Sequence, residues 1–92
     1  MRTTEIRKFL WSLLLEEGCV DCGESNPVVL EFDHVRGKKK FKISANETYF
    51  SPFELLLLEL EKCEIRCANC HRKVTAERGN FWAHRYSEGD FT

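Results

Sequence analysis

The sequence has no long apolar run. Its longest is Leu55–Leu58, far short of the roughly 20 residues that span a bilayer. It also lacks an apolar signal core near its start, where Arg2, Arg7 and Lys8 precede only a short Leu/Trp patch. No membrane partner is expected, and the expected address is cytosolic. Net charge is −1 at pH 7, so overall basicity does not announce a polyanion binder. There is no internal repeat and no low-complexity tract. Bulk is missing too: 92 residues, 42% of them hydrophobic, make one small domain with a modest core. A fold of this size has room for a metal or another staple.

Cysteine is what the chain does have. Cys19-Val-Asp-Cys22 and Cys67-Ala-Asn-Cys70 form two C-x-x-C pairs with residues 23–66 between them. In a cytosolic chain disulfides are rare and paired thiols more often hold metal. Two such pairs match a closed tetrahedral zinc site, the short spacer letting two sulfurs converge on one ion. Redox use of C-x-x-C belongs to a βαβ setting that this chain is too short to build. Cys19, Cys22, Cys67 and Cys70 are therefore read as ligands of a structural zinc. The leftover Cys63 is read as a small apolar residue on a leucine-rich helix.

The near-zero charge hides segregation. Residues 18–34 carry Asp21, Glu24, Glu31 and Asp33 and no base, whereas residues 35–45 carry Arg36, Lys38, Lys39, Lys40 and Lys42 and no acid. Residues 46–64 turn acidic again, and the last stretch is mildly basic. Local sign decides where a polyanion can touch.

Residues 4–17 read as an amphipathic helix on Ile6, Phe9, Leu10, Leu13 and Leu14, with Thr4 as cap and Gly18 as stop. Val28–His34 alternates like a half-buried strand, and Phe41 and Ile43 alternate with lysines like a returning strand. Ser51-Pro52-Phe53-Glu54 reads as a capped helix start, with the helix running to about Lys62 and its leucines packed on more than one side. A short extended piece, Glu64–Arg66, leads into a last helix from the second cysteine pair to Arg78-Gly79. The tail, 80–92, carries Phe81, Trp82, Tyr86 and Phe91, and pattern alone leaves its docking open. Trp11 and Trp82 read as core or rim packing and His84 as a surface or packing residue.

Four thiolates fill zinc's shell, so chemistry needs a second constellation. Of three histidines, His34 follows Asp33 at the end of the first strand and His71 follows Cys70 on the last helix. The cysteine knuckles would bring these ends together. Neighbours on a strand point to opposite faces, which suits a division of labour. Asp33, a hard oxygen ligand, could hold a divalent cation with His71. His34 could take a proton from water, because an imidazole ordinarily titrates near neutrality. Arg36, Lys38, Lys39, Lys40, Arg72 and Lys73 would hold neighbouring phosphates.

Leu30-Glu-Phe-Asp-His34, followed downstream by Cys67-Ala-Asn-Cys-His-Arg72, resembles the HNH endonuclease family. The paired knuckles resemble its zinc-stapled branch, common in phage and bacterial proteins. The likeness covers about residues 16–79, leaving 1–17 as an N-terminal helical segment and 80–92 as a tail. It implies an α+β fold: a small ββα-metal (His-Me finger) domain with flanking helices, stapled by the four-cysteine zinc. It implies DNA cleavage with Mg²⁺ or Mn²⁺, His34 as general base, and Asp33 and His71 as cation ligands. The family's middle asparagine has no single equivalent; Asn69 is the first candidate and Asn46 the second. A second helix histidine of the family is replaced by Thr75, four residues after His71. The competing class is a non-catalytic zinc-ribbon-like module binding nucleic acid or protein, which has no need of Asp33, His34 and His71. RNA as substrate, and monomer against homodimer, stay open.

Overall fold

The computed structural model describes residues 2–89, apart from the side chains of Arg2 and Asn46. Phe91 and the Asn46 side chain, both singled out above, therefore lie outside the described residues. The order of elements is helix α1 (Arg2–Glu17), a 3₁₀ turn (Pro27–Val29), strand β1 (Leu30–His34), helix α2 (Asn46–Phe50), helix α3 (Phe53–Leu60), strand β2 (Cys63–Cys67), helix α4 (Ala68–Arg78) and helix α5 (Trp82–Ser87). The result is a small mixed α/β structure around a two-stranded antiparallel sheet. No helix among the described residues is long and apolar enough to cross a membrane.

β1 pairs with β2 from Leu30↔Cys67 to His34↔Cys63. Alternation along the strands gives the ribbon two faces. Leu30, Phe32 and Ile65 belong to the apolar one. Glu31, Asp33, Glu64 and Arg66 belong to the charged one, and His71 and Arg78 of α4 reach into it. Leu14, Cys19, Leu30 and Cys67 form one buried cluster, and Ile6, Ile43 and Leu56 a second; Phe32 packs against both.

Several sequence expectations need correcting. Phe41–Ser44 is not a strand. Ala45 N–H donates to Lys42 O at 2.9 Å, and the buried Thr48 hydroxyl donates to Ile43 O at 2.6 Å, so the segment turns instead of extending. Its alternation marks two anchors, Phe41 and Ile43, that enter the second cluster. The ladder partner of β1 is the short downstream piece instead. β1 itself begins at Leu30, because Asn26 caps a 3₁₀ turn at Pro27 and leaves Val28 and Val29 exposed. Thr4 lies inside α1, which starts earlier. Ser51 closes α2 through its N–H to Glu47 O, so the cap position of α3 falls on Pro52, with no side-chain cap. Cys63 opens β2 and is not on a helix. α3 is buried on one side only: Leu56 is 0% exposed, whereas Leu55, Leu57 and Leu58 are 43%, 39% and 54% exposed. Trp11 and Trp82 are also exposed. The tail of the sequence reading is partly helical, with Trp82 and Tyr86 edge-to-face at 5.5 Å.

Leu56→Ala should destabilise the zinc-loaded chain by about 2–5 kcal/mol, since it leaves a cavity in a filled site. Leu58→Ala on the same helix should cost less than about 0.5 kcal/mol. Urea titrations of the two variants check this contrast, and equal losses would contradict the one-sided packing of α3.

Candidate metal centre and its polar neighbourhood

The two cysteine pairs are brought together by turns at two element boundaries. Gly18, at φ 70°, ends α1 in the left-handed region that favours glycine. Cys19 N–H then donates to Glu24 O at 2.8 Å and Gly23 N–H to Cys19 O at 2.9 Å, closing the first knuckle. Val20 N–H donates to Ile65 O at 2.8 Å and fastens the knuckle to β2. The second knuckle needs no loop. Cys67 is both the last residue of β2 and the cap of α4, its Sγ accepting from Cys70 N–H at 3.4 Å.

The four sulfurs of Cys19, Cys22, Cys67 and Cys70 lie within 4.8 Å of one another, and those of Cys22 and Cys67 are 3.7 Å apart. Tetrahedral zinc with bonds of about 2.3 Å separates its sulfurs by about 3.8 Å, so the residues fit that ion. The thiol chemistry agrees. Burial would raise the Cys19 thiol, but hydrogen bonds from the backbone of Cys67, Cys22 and Asp21 outweigh it and bring it to about 6. The neighbouring Cys67 and Cys22 push Cys70 up to about 12. Four crowded thiols resist successive ionisation, and a dication relieves that repulsion. Such an ion would have no open position, which makes it structural. Cys63 stands apart. Burial, then the charges of Glu59 and Asp33, push its thiol up to about 11, which suits an inert packing residue.

Asp33 and His71 do meet. Asp33 Oδ1 lies 3.3 Å from His71 Nε2, and the other ring nitrogen, Nδ1, lies 2.7 Å from Glu31 Oε1. Two cis ligands of an octahedral cation with bonds of about 2.1 Å sit about 3.0 Å apart. A carboxylate on the far nitrogen is also the usual way to aim an imidazole at a cation. The Asp33–His71 contact is at ion-pair distance. It comes with two residues that sequence reading missed. Arg66 Nη1 donates to Asp33 Oδ2 at 2.7 Å, and Arg78 reaches both Asp33 oxygens at 3.1 and 3.2 Å. Arg66 also donates through Nε to Asp21 Oδ2 at 2.7 Å, linking the first knuckle to Asp33. Burial would raise the Asp33 carboxyl; the Arg78 hydrogen bond, the positive fields of His71 and Arg78, and Arg66 hold it below its ordinary range.

His34 is held elsewhere, by α3. Its Nε2 lies 2.9 Å from Glu59 Oε2. Glu59 is 1% exposed and also accepts from Lys40 N–H at 3.0 Å and Lys62 Nζ at 2.9 Å. Lys62 Nζ donates in turn to Lys38 O at 2.8 Å, and Lys62 O accepts from Val35 and Arg36 N–H. The basic loop after His34 is thus tied down while Arg36, Lys38, Lys39 and Lys40 stay exposed. Arg36 also donates to Glu61 O. Asn69 lies in a shallow groove with Arg72, Lys73 and His84, between α4 and α5; Glu59 is the side chain bonded to His34. Thr75 is exposed. Two signals were present in the sequence: Glu59 is an acid inside a leucine run, and Arg66 a lone base between apolar strand residues.

Burial would raise Glu59, but Lys62, Lys40 N–H and His34 bring it from 4.5 to about 2. A carboxyl depressed in the folded state adds stability above its unfolded value, and that stability fades as pH falls from about 4.5 towards 2. Glu59→Gln should therefore lose less stability than wild type across this window; denaturant titrations at stepped pH measure the difference, and parallel curves would refute the assignment. Zinc analysis should find one ion per chain, and Cys67→Ser should abolish cooperative unfolding, because structural zinc supplies much of the folding free energy of small metallo-domains. Comparison of the chain with family models, curated proteins and solved structures finds no match.

Proposed function

We propose that the chain is a divalent-cation-dependent endonuclease of the HNH type, cutting phosphodiester bonds in DNA, with its β1–β2–α4 unit acting as a ββα-metal domain. The observation that carries this reading is the convergence of Asp33 Oδ1 and His71 Nε2 to 3.3 Å across β1 and α4, next in sequence to His34. A binding module does not depend on this pair for its function, whereas a cation-dependent nuclease does.

Asp33 and His71 would hold Mg²⁺ or Mn²⁺, which supplies charge stabilisation for the phosphate and its leaving oxygen. Glu31 keeps the His71 ring aimed at Asp33. His34 takes a proton from water as its oxygen bonds to phosphorus; the bond from phosphorus to the leaving oxygen breaks, and that oxygen is protonated by solvent. Arg36, Lys38, Lys39 and Lys40, from the loop, and Arg72 and Lys73, from α4, supply phosphate contacts that carry no sequence information, so preference should be loose. A mostly apolar groove beside Glu31 and His71 carries two further bases, Arg7 and Lys42.

One observation favours the second reading, a zinc-ribbon-like binding module. Asp33 already has two guanidinium partners, Arg66 and Arg78, so its charge is satisfied without a cation.

A supercoiled-plasmid assay with Mg²⁺, Mn²⁺, Zn²⁺ or EDTA separates the two. The nuclease requires nicked or linear product with Mg²⁺ or Mn²⁺, and a loss of about 10²–10⁴-fold in His34→Ala, the usual range for a general base. A folded, zinc-loaded chain that cuts nothing under any metal would return the choice to the binding module.

A further inference from the structure

We infer that Glu59 is the positioning residue of His34, one buried carboxylate setting both the ring's tautomer and the basic loop that follows it. The inference rests on the reading of His34 as the base. Glu59 sits in the last turn of α3 at 1% exposure, where an ion without partners would be strongly disfavoured. It has three donors instead: His34 Nε2 and Lys40 N–H on Oε2, and Lys62 Nζ on Oε1. These donors keep it ionised.

An ionised carboxylate only accepts hydrogen bonds. The hydrogen between Glu59 and His34 therefore belongs to Nε2, and the imidazole lone pair is left on Nδ1. A general base needs this arrangement, with one nitrogen open and the other tied to a carboxylate that selects the tautomer and stabilises the imidazolium once the proton has been taken. His34 is 13% exposed, so solvent still reaches the ring. The same Oε2 holds Lys40 N–H, and Lys62 holds Lys38 O, so the ring and the loop backbone share one anchor. Glu59 is thus the side chain bonded to His34, whereas Asn69, the first candidate for the middle asparagine, lies in the groove between α4 and α5. A carboxylate that merely closed an ion pair with Lys62 would leave the His34 tautomer unspecified.

Long-range ¹⁵N spectra of the histidine rings in the zinc-loaded chain test this directly. They would be recorded at mildly alkaline pH, where imidazole is ordinarily neutral, with His34 assigned by its loss in His34→Ala. Wild type should show His34 protonated at Nε2. Glu59→Gln, whose amide oxygen can still accept, should keep that tautomer and lose less than about tenfold in kcat, whereas Glu59→Leu should mix the tautomers and lose at least about 100-fold with zinc content unchanged. Overturning results are an Nδ1–H tautomer in wild type, or a Glu59→Leu ring identical to wild type. If wild type cuts no nucleic acid, the nuclease reading falls and the tautomers alone decide the role of Glu59. If Glu59→Leu fails to fold, the wild-type and Glu59→Gln spectra still decide it.

Discussion

The four-thiol cluster is the contact on which the other arrangements depend. It joins the end of α1 to the junction of β2 and α4, bringing together segments with residues 23–66 between them. The buried apolar set is small, in two clusters bridged by Phe32. Without a bound ion, Cys22, Cys67 and Cys70 would be neighbouring thiols with no strong attraction among them. With one, Cys67 becomes a fixed point from which β2 runs back along β1 and α4 runs forward over the charged face. The register Leu30↔Cys67 then sets which residues of β1 lie under α4.

Everything polar follows from that register. Asp33 faces Arg66, Arg78 and His71 because one strand step separates it from the apolar face. His34, one residue on, reaches the other side and meets Glu59. Two separate polar assemblies flank one dipeptide. One is rich in guanidinium and is linked to the first knuckle through Asp21; the other is a carboxylate–imidazole pair tied to the lysine loop. Each buried carboxylate is offset by several donors, which is the condition for keeping a charge away from water.

The exposed leucines of α3 give the molecule an asymmetry. Leu56 and Glu59 of this helix face inward, one to the second apolar cluster and one to the polar assembly around His34. The chain therefore uses α3 to deliver a charge as much as to build a core. A leucine-rich pattern reads as core by composition, and here most of it faces solvent.

The four-cysteine cluster and the outer plan are legible in the amino-acid order alone. C-x-x-C spacing is a local property that survives any fold, and the strand before His34, the extended piece before Cys67 and the helix after it are written in short-range alternation and turn residues. The tertiary structure decided the pairing and the partners. Phe41–Ser44 alternates as convincingly as β2, yet β2 pairs with β1, because the knuckles deliver Cys67 to Leu30 whereas Thr48 bends the other segment into a turn. Glu59 inside a leucine run and Arg66 between Ile65 and Cys67 are marked by their apolar neighbours, but nothing in the sequence names their partners, and Arg78 and Glu31 read as ordinary surface charges. Their importance arises only when the ribbon's two faces and the cover of α4 bring opposite charges within 3 Å or so of one another, a distance dependence that no linear pattern encodes.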